Sequence, residues 1–278
     1  MVDHANNIKS MKLYTHTDRV YRELDELGKG ARDVLDTSEL ASFDQLHYHG
    51  VDAVQYAVDT MGMTDRSRVL EIGSGFGGPA RHIAKQAQCR VTALELQPDQ
   101  NRVARELTER CGLSSFLDHR CGDFMETDWK DETYDAIVSW LAIYHIPDRK
   151  RLLEISSGLL DMNGLFFTED LFCRQNLEPE QKEMLSAGLY AAHLPDFDTY
   201  LKEFHGAGFE IIEARDMSED WAEFTSRRLE DYRSCRDRHI RVHNRDTYEA
   251  MENFYSFVNG YFVSGKLGGI RLLARKRA

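Results

Sequence analysis

The chain is short of the features that mark secreted, membrane-spanning or nucleic-acid-binding proteins. Its five cysteines, Cys89, Cys111, Cys121, Cys173 and Cys235, are odd in number and share no C-x-x-C spacing. That argues against a disulfide framework or a metal site of zinc type and predicts reduced thiols. No stretch approaches the roughly 20 apolar residues a membrane span needs. The opening Met1-Val2-Asp3-His4-Ala5-Asn6-Asn7 lacks the charged and apolar regions of a secretory signal. Basic residues are in deficit, with 35 Lys and Arg against 47 Asp and Glu and a formal net charge of -12. Phosphate backbones are bound through clustered Lys and Arg, so nucleic acid is not an expected partner. Internal repeats and low-complexity segments are missing as well. The expectation is a cytoplasmic protein handling small molecules, as a monomer or homodimer. With 278 residues, 42% of them hydrophobic, the chain can bury one α/β core and carry a cap.

Against these absences stands Val69-Leu70-Glu71-Ile72-Gly73-Ser74-Gly75-Phe76-Gly77-Gly78. An apolar, β-branched strand runs into a glycine cluster, where the backbone can turn sharply and approach a ligand without Cβ interference. Gly73, Gly75 and Gly78 fit the dinucleotide pattern G-x-G-x-x-G, while Gly73, Gly75 and Gly77 fit a tighter G-x-G-x-G. A pyrophosphate on a helix N-terminus gains nothing from a carboxylate just before the glycines. Glu71 suits instead a cofactor with a cationic end, such as the amino-acid part and sulfonium of S-adenosylmethionine. A second strand, Arg90-Val91-Thr92-Ala93-Leu94-Glu95-Leu96, then ends in an acid able to accept hydrogen bonds from both hydroxyls of a ribose.

From these residues the chain resembles the class I S-adenosylmethionine-dependent methyltransferases, whose first motif is an acidic residue, x, G-x-G-x-G. Further segments carry the resemblance: Gly122-Asp123-Phe124 after a third strand near Phe116 to Arg120, the fourth strand Tyr134-Asp135-Ala136-Ile137-Val138-Ser139-Trp140, and the run Leu159 to Asp170 as helix end, turn and fifth strand. In that last run Asp161-Met162-Asn163 stands where the family has Lys-Pro-Gly. The resemblance implies a Rossmann-like α/β sheet of seven strands in the order 3-2-1-4-5-7-6. It implies a helical N-terminal cap over residues 1–62, a core over 63–278, lid segments near 171–198 and 217–265, and a helical insertion before a last strand at Gly269 to Arg275. It also implies that S-adenosylmethionine is held by Glu71, Gly73, Ser74, Gly75 and Gly77, by Glu95, Leu96 and Gln100, by Asp123 at the adenine amino group with Phe124 against the ring, and by Trp140 and Gln45.

The acceptor side rests on fewer residues. His145, in Ser139-Trp140-Leu141-Ala142-Ile143-Tyr144-His145, falls just past the fourth strand, where a base would face the methyl group. The segment is similar to that of sarcosine, dimethylglycine and phosphoethanolamine N-methyltransferases, but their acid four residues before the histidine is Leu141 here. A histidine that merely ties down a loop is the alternative. Asp44-Gln45-Leu46-His47-Tyr48-His49-Gly50 resembles the D-Q-x-H-x-x-G stretch that covers cofactor and acceptor in the same enzymes. His47 is therefore a pocket candidate, and no third ligand accompanies His47 and His49 to make a metal site. Tyr14 is expected to close the cap over the active site, and Tyr21 to belong to an amphipathic stripe. The Arg-rich run Arg227 to Arg241 reads either as an anion-binding fork or as a solvated helix laced with ion pairs. The expected reaction is methyl transfer to a small-molecule acceptor, an amine such as sarcosine or dimethylglycine. Alternatives are C- or S-methylation of a lipid, quinol or other small molecule and, in another class, a non-catalytic module that binds S-adenosylmethionine.

Overall fold

In β1 (Arg68–Ile72) the side chains alternate between the two faces of a sheet. Leu70 and Ile72 join one apolar cluster with Leu94, Ile137, Leu152 and Phe166, while Val69 joins another with Val54, Ile83, Val91 and Phe167. A strand buried on both faces sits at the centre of a parallel sheet. The computed structural model describes residues 17–277.

Among the described residues three helices precede β1: α1 (Arg19–Glu26), the single turn α2 (Thr37–Leu40) and α3 (Gly50–Met61). The chain then alternates through α4 (Gly78–Ala87), β2 (Arg90–Glu95), α5 (Pro98–Arg110), β3 (Leu117–Cys121) and β4 (Tyr134–Trp140). A turn of 3-10 helix, Ile143–His145, leads to α6 (Arg149–Leu159) and β5 (Leu160–Cys173). After α7 (Pro179–Leu189), α8 (Phe197–Gly206) and β6 (Phe209–Asp216), three helices, α9 (Ser218–Ser234), α10 (Arg236–His243) and α11 (Arg245–Val263), precede β7 (Leu267–Lys276). The strand order is 3-2-1-4-5-7-6, with β7 antiparallel between β5 and β6, as the sequence led one to expect. The order reverses between β1 and β4, and in such sheets ligands bind beyond the carboxyl ends of the strands at that reversal.

One expectation fails in detail. The turn foreseen at Asp161-Met162-Asn163-Gly164 is a bulge inside a continuous β5. Leu160 already pairs with Tyr134, Leu165 pairs with Ala136, and Asn163 takes up the slack at φ 65°.

The cap and the insertion are anchored by different means. On α1, Val20 and Leu24 pack with Leu40, Phe76, Val103 and Leu107, which seats the helix on the glycine loop and α5. Trp221 of α9 is fully buried, and a Cβ at Gly269 of β7 would overlap its indole. The absent side chain lets the insertion lie flat on the sheet. Among the described residues no helix is long and apolar enough to cross a membrane.

Candidate functional site

The glycine loop follows β1 with Gly73, Gly75 and Gly77 all at positive φ, at 77°, 54° and 76°. A Cβ on Gly73 would overlap that of Ala142, so the loop can lie against the segment after β4 only with glycine there. Gly73, Ser74, Gly75 and Phe76 line a cleft of about 350 Å3. Gly77 does not line it. It caps the start of α4, where a Cβ would stand 2.9 Å from both Arg81 and His119. Arg81 is fully buried and donates to the Phe76 carbonyl and to Asp44, each at 2.7 Å. The loop is thereby tied to residues 43–50, and sequence reading gave no sign of this support.

Three acids ring the cleft. Glu71, 1% exposed, has one carboxylate oxygen with no hydrogen-bond partner among the described residues. Burial pushes its pKa up to about 8, against the opposing influence of Arg81. Glu95 accepts hydrogen bonds from the backbone N–H of Gly75 at 2.8 Å and of Gln97 at 2.7 Å. Burial raises it too, and those two backbone donors act the other way. Its oxygens keep lone pairs for further donors. Asp123 caps its own loop through Met125 N–H at 2.8 Å, beside buried Phe124. Leu96, Gln100 and Trp140 complete the lining together with Gln97 and Met125, neither of which sequence reading had singled out. The cleft offers a buried carboxylate for a cation, a second carboxylate for hydroxyl donors and apolar walls for a flat ring.

A second chamber of about 910 Å3 lies against the first, and Leu46, His47 and Leu141 line both. Gln45, expected at the cofactor, stands in the wall of this chamber instead. Leu141 takes a left-handed φ of 51°, a conformation costly for a branched apolar residue, and its N–H is held by the Glu169 carbonyl at 2.8 Å. His47 donates from Nε2 to the Gly50 carbonyl at 3.0 Å and lies 5.7 Å from the Trp140 ring. His145 lines the cleft, with Nδ1 3.4 Å from the Tyr190 carbonyl and its ring centroid 3.9 Å from that of Tyr144, the two rings tilted by 38°. Burial pushes both histidines down to about 4, so both are neutral at pH 7. With its proton on Nδ1, His145 keeps a lone pair on Nε2. The loop-fixing and base readings of His145 are thus compatible in one side chain. Tyr14 lies outside the described residues. Tyr21, packed partly buried against the cluster of Val20 and Leu24, donates to Glu106 of α5 at 2.6 Å.

The Arg-rich run divides between its two readings. Arg228 turns inward, its guanidinium carbon 4.9 Å, 5.5 Å and 4.5 Å from the ring centroids of Tyr48, Phe224 and Tyr255. Arg238 and Arg241 of α10 instead grip Glu23 and Glu26 of α1, each at 2.6 Å. His243 joins Glu23 at 2.7 Å, and Arg22 donates to the His243 carbonyl. Ligand atoms of Glu23, His239 and His243 come within 4.8 Å of one another, yet Glu23 is already engaged by Arg238 and His243. The group is a clasp that closes α1 over the chamber.

This sheet order, with a glycine cradle at the reversal and an acid at the end of β2, is that of the class I methyltransferase fold. Residues 70–168 match the family described as methyltransferase domain. It is 28% identical over 166 residues to the glycine/sarcosine/dimethylglycine N-methyltransferase of Actinopolyspora halophila, covering 60% of this chain and 29% of that one. It is 29% identical over 170 residues to the sterol 24-C-methyltransferase erg6 of Aspergillus fumigatus, covering 59% and 45%. The chain spans less than half the length of these relatives. Among solved structures, the phosphoethanolamine N-methyltransferase 2 of Haemonchus contortus, in complex with S-adenosyl-L-methionine, superposes with a TM-score of 0.82 at 17% identity, covering 100% of this chain and 61% of that one.

Proposed function

We propose that the protein transfers a methyl group from S-adenosylmethionine to a small-molecule acceptor, an amine in the favoured reading. The observation that carries this is Glu71, a buried carboxylate at the base of the glycine cradle with one oxygen left without a hydrogen-bond partner among the described residues, the nearby Arg81 being engaged by Asp44 and the Phe76 carbonyl. A sulfonium or ammonium end would satisfy it, and a pyrophosphate would be repelled. When bound, S-adenosylmethionine supplies an activated methyl group on positively charged sulfur.

The chain's own residues then have little covalent work to do. Glu71 would hold the cationic end, Glu95 the ribose hydroxyls, and Asp123 with Phe124 the adenine. Leu46, His47 and Leu141 border the route between cleft and chamber, where apolar walls would keep water away from the transfer. His145, neutral and with a free Nε2, would accept a hydrogen bond from an acceptor N–H or O–H. A group with a pKa near 4 orients that proton better than it removes it. The joined second chamber speaks against a module that only binds the cofactor. Its size, about 910 Å3, gives weight to the second reading, a carbon or other acceptor bulkier than dimethylglycine.

The test is transfer of labelled methyl from S-adenosylmethionine to a panel of glycine, sarcosine, dimethylglycine, phosphoethanolamine, larger amines, thiols and prenyl quinols. Label in an amine is expected. Label only in a thiol or quinol would replace the amine reading, and tight cofactor binding with no label in any acceptor would favour the non-catalytic module.

A further inference from the structure

An aromatic cage around a chamber that accepts methyl groups suggests at first a pocket for a cationic acceptor, since ring faces attract cations. Here the cage is taken. The faces of Tyr48, Phe224 and Tyr255 already surround the guanidinium of Arg228 at 4.5–5.5 Å. A second cation brought to those rings would meet a fixed positive charge.

Arg228 also differs from the other arginines of its run. Arg233, Arg238 and Arg241 each face a carboxylate within 2.8 Å. Among the described residues no carboxylate comes within ion-pair distance of Arg228, nor of Arg19, which lines the same chamber from α1. Nε of Arg228 and Nη2 of Arg19 are buried without a hydrogen-bond partner among the described residues. Leaving charged donors unmatched is costly unless something else meets them. The acids of the chamber do not serve. Glu23 is held by Arg238 and His243, and Asp52 and Asp231 form no ion pair with either arginine among the described residues. His239 and His243 add no second anion to the balance.

We propose that the acceptor enters the chamber as an oxyanion, a carboxylate or phosphate carried on an apolar body, with its anionic group at Arg228 and Arg19 and its methyl-accepting end toward the opening at His47 and Leu141. The proposal rests on the methyl-transfer reading of the adjoining cleft and names the substrate class of that site. Two guanidinium groups present forked donors that match either oxyanion. Leu171, Leu189 and Val258 line the same space and suit a hydrocarbon or aromatic portion. Rings that would otherwise attract a cation instead hold the guanidinium of Arg228 in place, which lowers the entropy cost of binding the anion.

The experiment is calorimetric titration of the protein saturated with S-adenosylhomocysteine, using phenylacetate, phenyl phosphate and the neutral phenylacetamide as probes. At least one anion is expected to bind about ten-fold more tightly than phenylacetamide, and the two anionic arms rank carboxylate against phosphate. Arg228→Gln should lose about ten-fold in anion affinity with S-adenosylhomocysteine affinity unchanged, Arg228→Lys should keep part of it, and Arg19→Gln should show a similar loss. Equal binding of phenylacetamide and the anions, no binding of either anion, or native anion affinity in both Gln variants would overturn the proposal. Failure of S-adenosylhomocysteine to bind would instead strike the methyl-transfer reading, since the same titration on the unliganded protein still reports on the chamber.

Discussion

At pH 7 a carboxyl group held near a pKa of 8 is mostly protonated, and Glu71 is in that state until a cation arrives. Pairing with an ammonium or sulfonium favours the charged form and so lowers the pKa in the complex. Binding must then release a proton. The affinity for S-adenosylhomocysteine should rise with pH, by up to about ten-fold per unit between pH 6 and 8, and level off above 8. Calorimetry in buffers of different ionisation heat would count the protons, and a flat profile from pH 6 to 8 would remove Glu71 from the cationic end. Folding carries the opposite sign. The folded pKa lies above the unfolded one, so this group's contribution to stability is fully present below about 4.5 and is lost as pH rises toward 8. The buried histidines reverse this, since their folded values near 4 favour the native state above their unfolded pKa and withdraw that support as the medium acidifies. Glu71, the glycines and Glu95 could be read from sequence because strand and loop present them as contiguous motifs. Arg81 could not, because its partner Asp44 is 37 residues away and nothing in Gly78-Pro79-Ala80-Arg81-His82 marks an arginine as buried.

Among the elements, the strands were legible as short apolar, β-branched runs and through the motif order of the resembled family, and the insertion by helical character. How the insertion docks was hidden. Gly268 and Gly269 look like weak points in a strand, yet they are the gap that admits Phe172 and Trp221. Gly269→Ala should therefore destabilise the fold by about 1–3 kcal/mol through overpacking, although alanine is the better strand former. Urea unfolding would measure it, and a variant as stable as the native protein would mean that α9 shifts freely on the sheet. The inward turn of Arg228 was equally illegible, because Tyr48 and Tyr255 reach it from the loop before α3 and from α11, and only Phe224 shares its helix α9.

Across the whole molecule, α1 is held by two unlike surfaces. Its inner face packs Val20 and Leu24 against Phe76 and α5, and its outer face meets α10 through Glu23 and Glu26 with Arg238, Arg241 and His243. The Arg241–Glu26 pair is open to solvent and so to screening by salt, whereas Glu23 and His243 are largely covered and are screened less. Hydrogen exchange in α10 and at the outer face of α1 should thus quicken as sodium chloride is raised, while β1 and β4 stay protected. Glu26→Gln should mimic part of the effect at low salt. Equal protection at all salt concentrations would mean that packing, and not charge, closes the cap. Apolar contact is not weakened by screening, and strongly excluded salts such as sulfate reinforce it. The same helix therefore answers one solute with two tendencies of opposite sign: it loosens at the chamber roof and tightens over the glycine loop. On the proposed methyl-transfer reading, salt would then ease access to the chamber while keeping the glycine loop covered.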